Sequence, residues 1–193
     1  VEDQPVERAE VGDQPRLLHV GRLAPEKNTE EVIRAFALIK RELLLARLTV
    51  VGDGPVLTEL KREASELGVA DSINFTGYKP RAELPQVYAD HDLFITASAM
   101  ETQGLVALEA IATGMPAIGV DAFALPELIQ HRRNGYIAPP HSVPDIAAAT
   151  VKLLKDQAAF ENFSKEAILV AAEHSHDRCS DKLEKIYRKI RKL

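Results

Sequence analysis

The chain has 193 residues, of which 46% are hydrophobic and 27% are charged, and its formal net charge is -5. This length and composition suffice for one domain with its own core, and the negative charge argues against a general nucleic-acid-binding protein. Cys179 is the only cysteine, which excludes a disulfide framework and a cysteine-based zinc site and is typical of a reducing compartment. The sequence contains no apolar run long enough for a transmembrane helix and no signal-peptide pattern, so we expect a cytoplasmic protein.

Residues 1–15 differ from the rest of the chain. They are polar and acidic, begin without Met and show neither helical nor strand periodicity. We expect a tail or an interdomain linker here, with an ordinary frayed terminus as the alternative, and a single folded domain over residues 16–193.

From residue 16 onward, short β-prone runs alternate with helical runs. Strands are predicted at residues 16–20, 48–51, 72–75, 92–96, 116–120 and 135–137. Helices are predicted at residues 28–40, 56–67, 81–89, 105–113, 143–155, 157–172 and 176–192. This alternation predicts an α/β fold, a Rossmann-like three-layer sandwich with a parallel sheet of about six strands. Such sheets bind ligands at the carboxyl ends of their strands.

A basic loop follows the first strand, in residues 21–28 (GRLAPEKN). Gly21 ends the strand, Arg22 and Lys27 bracket the loop, and Asn28 or Thr29 could cap the next helix. Arginine can bind a phosphate through two hydrogen bonds and lysine supplies a point charge, so the pair could bind a diphosphate. The alternative is two solvated surface charges near a helix start.

The most informative stretch is residues 101–109 (ETQGLVALE), in which seven residues separate Glu101 from Glu109. Gly104 opens a predicted helix, whose first N–H groups could bind phosphate. Carboxylates bind sugar hydroxyls, so the stretch favours a sugar attached to a diphosphate. Alone, Glu101 would be an ordinary loop residue, and Glu109 on an apolar helix could instead pair with a structural arginine.

Other patterns do not indicate chemistry. Residues 52–55 (GDGP) lack the third glycine of a dinucleotide-binding motif and are interpreted as a turn, and no P-loop motif occurs. His174 and His176 have no evident third metal ligand and are expected on the surface. Ser98 lacks the frame of a hydrolase nucleophile and is interpreted as a small residue after the fourth strand.

The last predicted helix is amphipathic and basic. Its apolar stripe consists of Leu183, Ile186, Tyr187, Ile190 and Leu193. Lysines and arginines surround this stripe, so the helix could lie on an anionic membrane surface or pack on its own protein.

Four motifs follow one another in a recognisable order along the chain. They are residues 21–28, the glycines and proline of residues 52–55, Phe75 with Gly77, and the Glu101–Glu109 pair. From about residue 16 to its end the chain resembles the C-terminal, donor-binding domain of retaining glycosyltransferases of family four, one half of a GT-B architecture. The resemblance implies transfer of a sugar from a nucleoside diphosphate-sugar to an acceptor, with no metal or other cofactor.

The resemblance also implies residue roles. Gly21 belongs to the donor-binding loop, where Arg22 and Lys27 match the basic pair that neutralises the diphosphate as the leaving group departs. Glu101 matches the acid that meets the donor sugar, so Arg22, Lys27 and Glu101 are the implied catalytic residues.

The remaining implied roles concern binding. Gly104 and Leu105 match the turn whose N–H groups approach sugar and phosphate. Glu109 matches the acid that binds the ribose, and Tyr78 and Lys79 lie where this family meets the nucleobase.

Two departures from the family pattern matter. Position 103 is often Phe in the family and is Gln here. Residues 102–105 (TQGL) resemble the version in enzymes that glycosylate lipids. This resemblance points to a lipid acceptor and to contact with the inner face of a membrane. The family's N-terminal, acceptor-binding domain is not in this sequence, so we expect the chain alone to transfer little or nothing. In complete enzymes of this type the last helix returns to that domain.

Two other functions remain open from the sequence: a freestanding nucleotide-sugar binding module and half of a sugar-nucleotide epimerase. The donor base, the sugar and the acceptor are not identified by the sequence.

Overall fold

The computed structural model describes residues 11–190, which form a parallel sheet with helices packed around it. The strands are β1 Arg16–Val20, β2 Arg47–Val51, β3 Ile73–Gly77, β4 Leu93–Ile95, β5 Ala117–Val120 and β6 Gly135–Ala138. The helices are α1 Thr29–Glu42, α2 Leu57–Glu66, α3 Leu84–Ala89, α4 Leu105–Ala112, α5 Leu125–Leu128, α6 Val143–Lys155, α7 Gln157–Glu173 and α8 His176–Ile190.

The six strands are ordered β3-β2-β1-β4-β5-β6, and every neighbouring pair is parallel. Most strand residues are apolar and buried, as expected when helices cover both faces of a sheet. Helix α1 contacts both α2 and α6, whereas α4 contacts α7. Because crossovers between parallel strands are right-handed, these two groups lie on opposite faces, which confirms the predicted three-layer α/β fold.

The chain reverses its direction of winding between β1 and β4. Strands β2 and β3 lie on one side of β1, whereas β4, β5 and β6 lie on the other. The register joins Leu17 with Leu93 and Leu18 with Phe94 and extends no further, whereas β1 pairs with β2 along all of its length. A crevice therefore opens at the carboxyl ends of β1 and β4, the position where open α/β sheets bind ligands.

The predicted elements are confirmed with small shifts at their ends. Val32, Ile33, Phe36 and Ile39 form the buried face of α1, as their helical spacing predicts. The predicted helix over residues 81–89 consists of a 3-10 turn, Arg81–Glu83, followed by α3 with a proline in its first turn. Helix α5 was not predicted because four residues are too few to show a helical period.

The ends of the chain lie partly outside the described residues. Residues 1–10 of the predicted linker lie outside the described residues, as do residues 191 and 192 of the predicted last helix and Leu193 of its apolar stripe. Residues 11–15 contain neither helix nor strand, and the Pro15 carbonyl accepts a hydrogen bond from the Arg47 N–H at 2.8 Å. Within residues 11–190, no helix is both long and apolar enough to cross a bilayer.

Residues 52–55 form a turn, as predicted, and this turn packs directly on the loop that follows β1. Gly52 has φ 138, and a Cβ added to it would lie 1.8 Å from the Gly21 carbonyl oxygen. A Cβ on Gly54 would lie 2.1 Å from the Leu23 carbonyl oxygen, and the Leu23 N–H donates to the Asp53 carbonyl at 2.9 Å. These glycines therefore allow two backbones to touch and fix the path of the basic loop.

We expect Gly52→Ala to lower the free energy of unfolding by roughly 2–4 kcal/mol, since the new methyl group meets backbone in a conformation that disfavours a side chain. Chemical denaturation monitored by circular dichroism measures this change. Gly12→Ala is the control, because no atom lies within 4 Å of its added Cβ. Equal stability of the two variants would contradict the proposed backbone contact.

Candidate functional site

A cleft of about 180 Å³ lies at the carboxyl ends of β1 and β4, and we call it the β1–β4 cleft. Its lining residues come from β1, the loop after β1, the loop after β4 and the start of α4. They are His19, Val20, Gly21, Arg22, Lys27, Thr96, Ser98, Glu101, Thr102, Gln103, Leu105 and Val106. Five of the nine predicted site residues therefore meet here: Gly21, Arg22, Lys27, Glu101 and Leu105.

An ion pair spans the cleft. Lys27 Nζ donates to Glu101 Oε2 at 2.7 Å, and only 23% of the lysine side chain and 16% of the glutamate side chain are exposed. Lys27 is therefore not one of the two solvated surface charges that the sequence left open as the alternative for Arg22 and Lys27. The partial burial of Lys27 and Glu101 also strengthens the electrostatic interaction relative to a pair in water.

The loop before Lys27 directs this side chain into the cleft. Pro25–Lys27 form a 3-10 turn that ends at Asn28, whose backbone is left-handed with φ 50. The Asn28 side chain does not cap α1; its Nδ2 donates to the Ala97 carbonyl at 3.3 Å. The predicted capping role of Asn28 is therefore replaced by a link between the loops after β1 and β4.

Glu101 also organises the start of α4. Its Oε1 accepts a hydrogen bond from the Gly104 N–H at 3.1 Å, and Ala124 N–H donates to its backbone carbonyl at 3.1 Å. Gly104 has φ 66, and an added Cβ would lie 2.3 Å from Leu128 Cδ1. Position 104 therefore favours glycine for its left-handed conformation, and a larger residue would also displace the Leu128 side chain of α5.

The first helical residue of α4 is Leu105, whose side chain is 55% exposed at the cleft. The first N–H groups of a helix have no acceptor within the helix, so the start of α4 can donate to an anion. The Gly104 N–H already donates to the Glu101 carboxylate. The N–H groups of Leu105 and Val106 are therefore the donors nearest the cleft.

Arg22 lies at the mouth of the cleft, where 70% of its side chain is exposed. Arg22 Nη2 lies 3.5 Å from Glu26 Oε1, four residues along the same loop. Surface pairs of this kind contribute little to stability, so Arg22 can turn towards a ligand at small cost.

Glu109 lies outside the residues that line the cleft. Its Oε2 accepts a hydrogen bond from the Tyr88 hydroxyl at 2.9 Å, and its Oε1 lies 4.0 Å from Arg81 Nη2. One third of its side chain is exposed, so it is neither a buried charge nor free in solvent. Arg81 is therefore only a distant partner for Glu109, in place of the close structural arginine that the sequence left open as an alternative.

The sequence comparison decides the family. The family model described as glycosyl transferases group 1 matches residues 1–170. The chain belongs to this family.

Curated relatives of this glycosyltransferase group 1 chain include three bacterial enzymes. The alpha-D-kanosaminyltransferase of Streptomyces kanamyceticus is 31% identical over 95% of the chain and 48% of the relative. The GDP-mannose-dependent alpha-(1-6)-phosphatidylinositol monomannoside mannosyltransferase of Mycobacterium tuberculosis is 35% identical, over 78% and 41%. The alpha-monoglucosyldiacylglycerol synthase of Streptococcus pneumoniae is 38% identical, over 72% and 31%. The chain thus spans half or less of the length of these relatives.

Solved structures show the same fold. The C-terminal domain of a glycosyl transferase group 1 family protein (LpcC) from Francisella tularensis has a TM-score of 0.76 and 27% identity, covering 82% of this chain and 84% of that domain. S. aureus TarM, in a complex with UDP, has a TM-score of 0.83 and 20% identity, over 91% of this chain and 36% of that one. The second likeness shows the fold alone, and the first agrees with a C-terminal position for this domain.

Tyr78 and Lys79 do not join the other predicted residues of the group 1 domain. They follow β3 at the edge of the sheet and do not line the β1–β4 cleft. Tyr78 is 76% exposed, and Lys79 pairs with Glu83 at 3.0 Å. Their predicted contact with a nucleobase requires a ligand that reaches from the cleft across β1 and β2.

His19 is a buried polar residue of the cleft wall that sequence reasoning did not single out. It is 2% exposed, its Nδ1 lies 3.0 Å from the Ile95 carbonyl and its Nε2 lies 3.2 Å from Thr29 Oγ1. Burial lowers its pKa to about 4, so the ring is neutral near pH 7. Because a carbonyl can only accept, Nδ1 carries the proton and Nε2 accepts from Thr29. A polar residue inside a buried strand was the available signal.

Ser98 follows β4 and is 2% exposed, as expected for a small residue at a strand end. In the part of the chain that the structure describes, no group of three or more histidine, cysteine, aspartate or glutamate residues could hold a metal ion.

His19 gives the domain a measurable pH dependence. Its folded pKa lies below the ordinary value of 6.5, so its contribution to stability is complete above pH 6.5 and is lost as the pH falls towards 4. We expect a loss of up to about 3 kcal/mol over this interval from His19 alone.

Urea denaturation at pH 7 and pH 4.5 measures this loss. His19→Gln is the comparison, because it removes the titrating ring while the carboxylates that titrate at low pH are unchanged. The parent should lose more stability than the variant between the two pH values, and identical losses would contradict the burial of a neutral ring.

Proposed function

We propose that this chain is the donor-binding domain of a retaining glycosyltransferase that moves a sugar from a nucleoside diphosphate-sugar to an acceptor. The observation that carries the proposal is the convergence of Arg22, Lys27, Glu101 and the start of α4 on one cleft. This set combines cations and N–H donors for a diphosphate with a carboxylate for sugar hydroxyls. Family membership supports the same function.

In this proposal the diphosphate lies between the loop after β1 and the start of α4. Lys27 and Arg22 supply two positive charges, and the Leu105 and Val106 N–H groups add aligned dipoles. A sugar then lies next to Glu101, whose oxygens already accept from Lys27 and Gly104 and keep further lone pairs for hydroxyl donors.

The remaining donor contacts follow the family roles. Glu109 binds the ribose, with one oxygen held by Tyr88 and the other facing the exposed Arg81 side chain. Tyr78 and Lys79 meet the nucleobase beyond the cleft, and the exposure of Tyr78 supports a role in stacking.

The chemical step needs charge stabilisation more than proton transfer by the protein. As the bond between the sugar and the diphosphate breaks, the anomeric carbon acquires oxocarbenium character and the leaving group gains negative charge. Preorganised cations and N–H dipoles stabilise that charge, which is usually the largest contribution to such catalysis. We propose that Arg22 and Lys27 do so without a metal ion.

The acceptor site is proposed to lie in a second, N-terminal half, because the chain spans half or less of its relatives. Leu183, Ile186 and Tyr187 on α8 are each more than half exposed, which supports packing of α8 on that half. Alone, the chain should bind nucleotide and transfer little sugar.

A lipid-linked acceptor is the more specific proposal. Residues 102–105 resemble the version of the motif in lipid-glycosylating enzymes, and two of the relatives carry phosphatidylinositol or diacylglycerol in their names. Such an acceptor would place the complete enzyme at the inner face of a membrane.

Lys27→Met tests the diphosphate assignment. The variant keeps the buried aliphatic stem, removes the positive charge and leaves the Glu101 carboxylate without its cationic partner. We therefore expect at least about tenfold weaker binding of nucleoside diphosphate. Calorimetric titration of UDP, GDP and ADP into the parent first identifies the preferred base, and that nucleotide is then used for the variant.

Lys165→Met is the matched control, since Lys165 is exposed on α7 and lines no part of the cleft. Equal affinity of Lys27→Met and the parent would overturn the diphosphate site. No binding of any of the three nucleotides to the folded parent would overturn the proposed function of the chain.

A further inference from the structure

Tyr88 carries a buried hydroxyl group next to Val106, one of the residues that line the β1–β4 cleft. It lies on α3, 2% of its surface is exposed, and its hydroxyl donates to Glu109 Oε2 at 2.9 Å. The Val106 carbonyl is also within reach of the hydroxyl, at 3.4 Å. One hydroxyl proton serves both acceptors, and the shorter contact to a charged oxygen is the stronger of the two.

This contact fixes one half of the Glu109 carboxylate. The Arg81 guanidinium is 4.0 Å from the other oxygen, and 92% of the arginine side chain is exposed, so Arg81 restrains Glu109 weakly. Tyr88, in contrast, is buried in the hydrophobic core, which restricts its movement more than solvent restricts that of Arg81. The rigid donor therefore sets the orientation of the carboxylate, and Oε1 remains open to a ligand.

Tyr88 also keeps its proton. Burial and the neighbouring Glu109 carboxylate both raise the pKa of its hydroxyl above the ordinary value. The hydroxyl therefore remains a hydrogen-bond donor to Glu109 at neutral pH.

We infer that Tyr88 is a positioning residue for ribose recognition, which orients Glu109 so that its open oxygen accepts from a ribose hydroxyl. The inference rests on the proposed function, since it deepens the role of Glu109 in that site. A purely structural tyrosine would need an acceptor, but the Val106 carbonyl could serve that need without any carboxylate. The Tyr88 hydroxyl instead makes its shorter contact with a charged oxygen of Glu109, at the edge of the site. This choice of acceptor points to a role in orienting the Glu109 carboxylate.

A double-mutant cycle tests the inference with the nucleoside diphosphate that the parent binds most tightly. Tyr88→Phe retains the ring and removes only the hydroxyl, so we expect roughly three- to tenfold weaker binding. Glu109→Gln should also weaken binding. If Tyr88 acts through Glu109, the double variant should bind no more weakly than Glu109→Gln alone.

Tyr136→Phe is the matched control, because Tyr136 is another buried tyrosine, on β6 and away from Glu109. It should bind like the parent, and thermal unfolding of each variant shows that all are folded at the titration temperature.

Three results would overturn the inference: unchanged affinity of Tyr88→Phe, penalties that multiply in the double variant, or a Tyr88→Phe chain that does not fold and so belongs only to the core. A folded parent that binds none of UDP, GDP and ADP would instead overturn the proposed function, so the two failures are distinguishable.

Discussion

Side-chain bridges across the divergence of β1 and β4 hold the site together. Backbone pairing of these two strands stops after Leu18 and Phe94, and beyond that point side chains replace the backbone ladder. His19 donates to the Ile95 carbonyl, Asn28 to the Ala97 carbonyl and Lys27 to the Glu101 carboxylate. Successive donors from the first strand and its loop thus meet successive acceptors along the fourth strand and its loop. The cleft exists because the strands separate, and it keeps its shape because these bridges limit the separation.

Two backbone contacts support this arrangement from outside the cleft. The turn at residues 52–55 holds the basic loop from the β2 side, because only glycine permits that approach. On the β5 side, Gly104 fits against Leu128, and the Glu101 carbonyl accepts from Ala124. The basic loop and the acidic loop are therefore each fixed by a neighbour that makes no contact with the cleft itself.

The sequence was sufficient for the fold and for part of the site. Strands buried on both faces are visible as apolar runs, and the switch-point rule places the loops after β1 and β4 together. It was insufficient for the Lys27–Glu101 pair, whose members are 74 residues apart in the sequence and meet only where the loops after β1 and β4 come together. His19 and Tyr88 were missed because a buried polar residue has meaning only once its partners are known. The distance of Tyr78 from the cleft likewise depends on strand order, which puts β3 at the edge of the sheet.

The Lys27–Glu101 contact has a kinetic meaning under the proposed function. The same ammonium group must serve a diphosphate and an internal carboxylate that holds it at 2.7 Å. A nucleotide-sugar can engage both partners, since its phosphates meet Lys27 while its hydroxyls meet Glu101. A nucleoside diphosphate that has lost its sugar leaves Glu101 without hydroxyl partners, and the carboxylate then competes for the lysine. The exchange of one anion for another at Lys27 would shorten the residence time of the spent nucleotide relative to the donor.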